Sequence, residues 1–143
     1  LQTVDDLVED FLFLKELDPE MVGIGPFIAH KDTPFCNERS GTLDDTLFYL
    51  ALLRLMLPNV LLPATTALGT IHPRGREMGV LSGANVVMPN LSPVSVRKKY
   101  MLYDGKICTG DEAAECRMCL SRRMERIGCE VVTDRGDYKK RLA

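Results

Sequence analysis

The chain has 143 residues, a formal net charge of −2, 45% hydrophobic residues and 27% charged ones. That ordinary globular composition excludes disordered, collagen-like and low-complexity classes, and its near-neutral charge gives no footing for a nucleic-acid partner. Its apolar runs fall far short of the roughly 20 residues that span a membrane, and no leader opens the chain, so a cytoplasmic protein with no membrane partner is expected. The start at Leu1 rather than Met points to a processed chain or an excised piece.

In chain order, residues 3–17 place Leu7, Phe11, Leu14 and Leu17 at helical spacing. Thr3 is positioned to cap this helix, Asp5 and Asp6 favour its first turn, and Asp18-Pro19 stops it. The run MVGIGPFIAH that follows is short, apolar and glycine-rich, and reads as a buried parallel strand ending near Pro26. A second helix is expected over about 42–57, ended by Pro58, then a second strand over about 59–69. A third helix over 74–83 and a third strand over 84–92 complete a helix–strand alternation with short links, the grammar of parallel strands covered by helices. From about residue 93 the pattern changes to a basic and aromatic loop or short helix, a helix over 111–128, and a basic tail.

Charge is unevenly spread. Residues 1–20 carry seven acids against Lys15, while 117–143 carry eight bases against four acids. A solvated helix surface is the common explanation of such a tail, and an anion-binding face the alternative.

In α/β folds the chemistry lies at the carboxyl ends of the strands. Here those ends hold Pro26, Phe27, Ile28 and His30, then Thr65 and Thr66, then Met88, Pro89 and Asn90. Adjacent threonines on a strand would point to opposite faces, one of them able to offer a hydroxyl to an anion. No serine-nucleophile elbow, P-loop or dinucleotide fingerprint is present. The sharpest chemical pattern is Cys108-x7-Cys116-x2-Cys119. Thiolates suit zinc and iron–sulfur clusters, and Cys116 and Cys119 lie about one helical turn apart. The residues alone leave open a metal at this triad or three ordinary buried thiols.

The segments MVGIGPFIAHKDTPF, ATTALGTIHPRGREMG, SGANVVMPNLSP and YMLYDGKIC with its following cysteines resemble, in this order, the C-terminal part of the HydE-type maturases of iron-only (FeFe) hydrogenases. These are radical S-adenosylmethionine (SAM) enzymes related to biotin synthase. The resemblance implies the C-terminal half of a (β/α) TIM-type barrel. Residues 1–92 would be its βα units, with parallel strands at about 21–28, 60–68 and 84–90, and 93–143 a helical extension carrying the Cys triad.

It also implies a substrate cavity bounded by Met21, Thr65, Thr66, Met88 and Tyr100, and a wall near SAM formed by Pro26, Phe27, Ile28, Leu102 and Tyr103. Cys108, Cys116 and Cys119 would match a variably retained accessory iron–sulfur cluster. The family's C-x3-C-x2-C, which holds the catalytic four-iron four-sulfur cluster, is not in this chain, so no catalytic residue is assigned and the chain alone is expected to be inactive. Ala29 stands where the family has proline, and Cys36 matches no family role. The implied partners are the missing N-terminal half barrel and other hydrogenase maturation proteins, with self-association of the isolated chain through open strand edges. The alternatives are a free-standing iron–sulfur or zinc-binding scaffold, and a small α/β enzyme using His30 or the threonines.

Overall fold

The computed structural model describes residues 2–107, 113–133 and 136–138. Helix α1 (Val4–Leu17) begins with a reciprocal capping box. The Asp6 amide donates to Thr3 Oγ1 at 3.2 Å and the Thr3 amide to the Asp6 carboxylate at 2.7 Å. The helix ends where Asp18 turns left-handed (φ 46°) ahead of Pro19. Helix α2 (Leu43–Met56) is capped by Thr42, whose side chain accepts from the Asp45 amide at 3.1 Å. Phe11 of α1 meets Tyr49 of α2 edge-on at 5.9 Å, tying the two helices together.

The sheet is small and parallel. Strand β1 (Pro63–Ala64) pairs with β2 (Val86–Val87) in the register Pro63–Val86 and Ala64–Val87. A single parallel bridge from Met21 to Leu61 adds the first extended segment on the other side of β1. The Val22 amide donates to the Leu61 carbonyl at 3.0 Å, and the Leu61 amide to the Glu20 carbonyl at 2.9 Å. Spatial order therefore follows chain order, as the alternation of elements predicts.

Two expectations need correction. The strand expected over 59–69 ends at Ala64, and Thr66–Ile71 forms helix α3. The physical reason is Thr65, which stays extended and caps the helix by accepting from the Leu68 amide. The threonines are thus not two strand positions on opposite faces but a cap and a first helical residue. The strands at 21–28 and 84–90 are likewise shorter as paired ladders. Beyond the Met21 bridge the first segment remains extended with Gly23, Gly25 and Pro26, residues that offer little to pack or, for proline, no donor.

Helix α4 (Gly75–Leu81) lies within the expected span and is pressed against α3 and β1. A Cβ on Gly75 would meet the Leu68 carbonyl oxygen at 2.0 Å, and one on Gly79 would lie 3.0 Å from the Leu68 side chain and 3.4 Å from Ala64. At Gly75 only glycine permits this approach, whereas at Gly79 a Cβ would require the Leu68 side chain to give way slightly. Leu50, Leu53, Val60, Leu62, Leu68 and Ala84 fill the core between sheet and helices. Truncating one of these leucines to alanine costs about 2–5 kcal/mol.

After β2 come a short helix α5 (Val94–Arg97), a 3-10 turn (Lys98–Tyr100) and helix α6 (Ala113–Glu125). Gly128 (φ +77°) turns the chain after α6, placing the Cys129 amide 3.0 Å from the Met124 carbonyl. Among the described residues no helix is long and apolar enough to cross a membrane.

One face of the sheet is covered and the other is open. Along the first segment Val22 and Pro26 are buried and Ile24 half-buried, while Met21, Gly23 and Gly25 are exposed. On the next strand Val60, Leu62, Pro63 and Ala64 are buried, with Leu61 and Thr65 half-buried. Helix α1 also turns Val4, Val8 and Leu12, one stripe at four-residue spacing, toward solvent. The isolated chain is expected to self-associate through this surface. Its mass by light scattering should rise with concentration, and a constant monomer mass over a hundredfold range would refute the expectation.

Candidate functional site

A cleft of about 200 Å³ opens at the carboxyl ends of the strands, where Thr66, Met88 and Tyr100 converge from three separate parts of the chain. Thr66 opens α3, Met88 and Pro89 follow β2, and Tyr100 closes the 3-10 turn. Asn90, Ser92, Arg97, Lys106 and Ile107 complete the lining.

The cleft keeps its shape through hydrogen bonds made by two arginines and a strap. Arg97, 2% exposed, donates from Nε to the Ser92 carbonyl (2.8 Å) and from Nη2 to the Asn90 carbonyl (3.0 Å), fixing the turn after β2. Arg76 of α4, 3% exposed, donates from Nη2 to Thr66 Oγ1 at 3.2 Å. Residues 100–107 cross the strand ends as the strap. The Asp104 carboxylate accepts from the Lys31 amide (3.1 Å) while the Asp104 amide donates to the Ala29 carbonyl (3.3 Å). The Ile107 amide reaches Thr70 Oγ1 at 3.5 Å, and Lys106 Nζ donates to the Tyr100 carbonyl at 2.9 Å. The ionisable groups lining the cleft are Arg97, Lys106 and Tyr100, and no carboxylate lines it among the described residues. Its chemistry favours ligands that accept hydrogen bonds or carry negative charge.

The remaining residues singled out from sequence fall around this cleft or away from it. Thr65 lies beside it as the α3 cap; a Cβ on Gly25 would come within 2.8 Å of its Oγ1, so hydroxyl and first segment are in close contact. Met21 instead lines a separate groove of about 680 Å³ with Leu61, Val86 and the segment 129–132. Pro26 is buried and Ile28 half-buried, while Phe27 is partly exposed and stands edge-on to Phe35 at 6.4 Å. Leu102 is exposed, and Tyr103 sits half-buried with Lys106 Nζ 6.0 Å from its ring centre. His30 Nδ1 accepts from the Asp32 amide (3.1 Å) and His72 Nδ1 from the Arg74 amide (3.2 Å). Both histidines therefore serve local turns.

Of the cysteine triad, Cys108 lies outside the described residues. Cys116 and Cys119 share α6, and the Cys119 thiol is exposed. Among the described residues no three His, Cys, Asp or Glu side chains are grouped to hold a metal ion.

A protein curated as FeFe hydrogenase maturase subunit HydE, from Thermotoga maritima, is 50% identical over 139 residues, 97% of this chain. The chain is a close relative of the HydE maturases. It spans 40% of the length of that HydE protein. No family model matches the chain. The likeness drawn from separate motifs is thus a likeness along nearly the whole sequence, and the Thr66, Met88 and Tyr100 picked out by it meet in one cleft of this HydE relative.

Arg76, Arg97 and Lys106 escaped the reading of the sequence, as did the tie between α4 and α6. In that tie Arg123 donates from Nε to Glu77 Oε1 (2.8 Å) and from Nη2 to Oε2 (2.6 Å), with a further bond to the Pro73 carbonyl. Burial alone would raise the Glu77 pKa. The Arg123 hydrogen bonds, with the charges of Arg123 and Arg74, outweigh it and hold the carboxyl below its usual 4.5. A depressed folded pKa adds stability that is fully present above the unfolded value and lost as pH falls through the folded one. Glu77→Gln should therefore lower stability by about 2 kcal/mol at neutral pH, the scale of a charged hydrogen bond. The gap between wild type and variant should close as the pH drops below about 4 in denaturant melts followed by circular dichroism. A gap that persists in acid would show that Glu77 acts by shape alone.

Proposed function

We propose that the chain is the C-terminal, substrate-cavity part of a radical SAM maturase of the HydE type, acting in the assembly of the di-iron site of FeFe hydrogenases. The carrying observation is the convergence of Thr66, Met88 and Tyr100 on one cleft at the carboxyl ends of parallel strands. The open sheet face and the solvent-facing apolar stripe of α1 support a (β/α) barrel whose remaining strands and helices lie in the 60% of the HydE protein that this chain does not span. On this reading residues 1–92 form the barrel units and 93–143 the extension. The partners are the rest of the barrel and the other hydrogenase maturation proteins, and the compartment is the cytoplasm.

SAM and the four-iron four-sulfur cluster, held by a C-x3-C-x2-C motif that this sequence lacks, would supply a 5′-deoxyadenosyl radical. The residues here fit the adenosine side of such a site. Phe27 and Leu102 offer exposed apolar side chains and Ile28 and Tyr103 are half-buried, while Pro26 is buried; Asp104 ties the strap to this segment through Ala29 and Lys31. Thr66 and Tyr100 hold the substrate by hydrogen bonds, Met88 packs against it, and the strap shields the cleft from water. The described part of the Cys triad offers one exposed thiol and a second cysteine on the same helix, so nothing in the proposed role is routed through an accessory cluster.

The test is to compare the chain with the protein completed by the missing HydE segment, each reconstituted with iron and sulfide and reduced in the presence of SAM. The chain alone should yield no 5′-deoxyadenosine, and the completed protein should yield it. In the completed protein Thr66→Val should cut substrate turnover at least tenfold while SAM cleavage persists. Thr65→Val should mainly cost stability, about 1 kcal/mol for a lost helix cap. 5′-Deoxyadenosine from the chain alone, or equal loss of both activities in Thr66→Val, would overturn the proposal.

A further inference from the structure

We propose that Asp104 is a positioning residue: its clasp on the segment 29–31 holds the strap of residues 100–107 as one unit across the strand ends, and so sets Tyr100 against the cleft. Its effect on turnover rests on the reading of the cleft as a substrate site. The strap has little packing to hold it. Tyr100 is 59% exposed and Leu102 73%, and Asp104 and Gly105 also face solvent. A segment with so few buried contacts opens locally unless hydrogen bonds fasten it. Asp104 fastens it twice. Its amide donates to the Ala29 carbonyl at 3.3 Å, and its carboxylate accepts from the Lys31 amide at 3.1 Å. The far end is held more loosely, with the Ile107 amide 3.5 Å from Thr70 Oγ1. A carboxylate acceptor makes the stronger bond of the two, so the clasp at Asp104 is the main anchor.

Two features carry that anchor to the cleft. The strap is closed on itself, because Lys106 Nζ (2.9 Å) and the Leu102 amide (3.1 Å) both donate to the Tyr100 carbonyl. Gly105 (φ +70°) supplies the turn that brings Lys106 back to Tyr100. Whatever fixes Asp104 therefore fixes Tyr100, which lines the cleft together with Lys106 and Ile107. The segment that Asp104 grips is itself held. The Gly41 amide donates to the Phe27 carbonyl at 2.9 Å, and the His30 carbonyl accepts from the Thr33 amide (3.1 Å) and hydroxyl (2.8 Å). Asp104 thus joins the loop that follows Phe27 and Ile28 to the cleft wall that Tyr100 forms.

Amide hydrogen exchange in the full chain tests the clasp. In Asp104→Ala the Lys31 and Ile107 amides should exchange at least tenfold faster, while the Leu61 amide, bonded within the sheet to the Glu20 carbonyl, keeps its rate. Asp104→Asn retains a side-chain oxygen at the same reach and should restore most of the protection. Faster exchange at Lys31 with Ile107 unchanged would overturn the strap as a unit. Equal acceleration at Leu61 would show that Asp104 only supports the fold, and would overturn the proposal as well. In the completed protein, Asp104→Ala should raise the 5′-deoxyadenosine released per substrate turned over at least threefold, because a displaced Tyr100 orients the substrate less well and a loosened strap admits water. Asp104→Asn should stay near the wild-type ratio. An unchanged ratio in Asp104→Ala would overturn the positioning role even if the exchange results hold. The exchange measurements need neither SAM nor substrate, so failure of the clasp and failure of the substrate-site reading are told apart.

Discussion

Everything in this molecule hangs on how closely α4 approaches α3 and the sheet. Gly75 and Gly79 present no side chain at the contact; the Leu68 carbonyl stands where a Cβ on Gly75 would be, and the Leu68 side chain packs tightly over Gly79. That proximity fixes the two residues between them. Arg76 is carried inward to Thr66 at the mouth of the cleft, and Glu77 is carried to Arg123 of α6. One glycine-lined contact therefore organises both the cleft end of the sheet and the attachment of the C-terminal helix.

Much of the fold was legible because it rests on local chemistry. The capped starts of α1 and α2, the Asp18-Pro19 stop and the glycine turn after α6 are each specified within a few residues. Helix α3 was not legible, because ATTALGTI is as apolar and β-branched as a strand. What makes it helical is one Thr65 cap bond and its packing between the sheet and α4, neither visible in a periodicity. Strand lengths were overestimated for a related reason: an apolar run marks burial, not ladder pairing.

The cleft was half legible. Thr66, Met88 and Tyr100 came from resemblance, and their convergence in one cavity is a property of the fold that no spacing reveals. Arg76 and Arg97 were hidden among neighbouring bases, Arg74 in one case and Lys98 and Lys99 in the other. Only tertiary packing separates a guanidinium buried against carbonyls from a solvated one. Met21, drawn from the same resemblance, is exposed and lines a different groove in this chain.

The alternation along the first two strands divides the labour of their residues by parity. Positions 22 and 24, and 60, 62 and 64, belong to the core against the helices, whereas 21, 23 and 25 are exposed and 61 and 65 half-buried; Pro63 is buried like its neighbours and interrupts the alternation. The first set answers to packing and tolerates only changes that conserve volume. The exposed positions of the second set are released from that constraint. In a set of homologues positions 22, 24, 60, 62 and 64 should thus drift together as the core repacks, while 21, 23 and 25 vary independently of them.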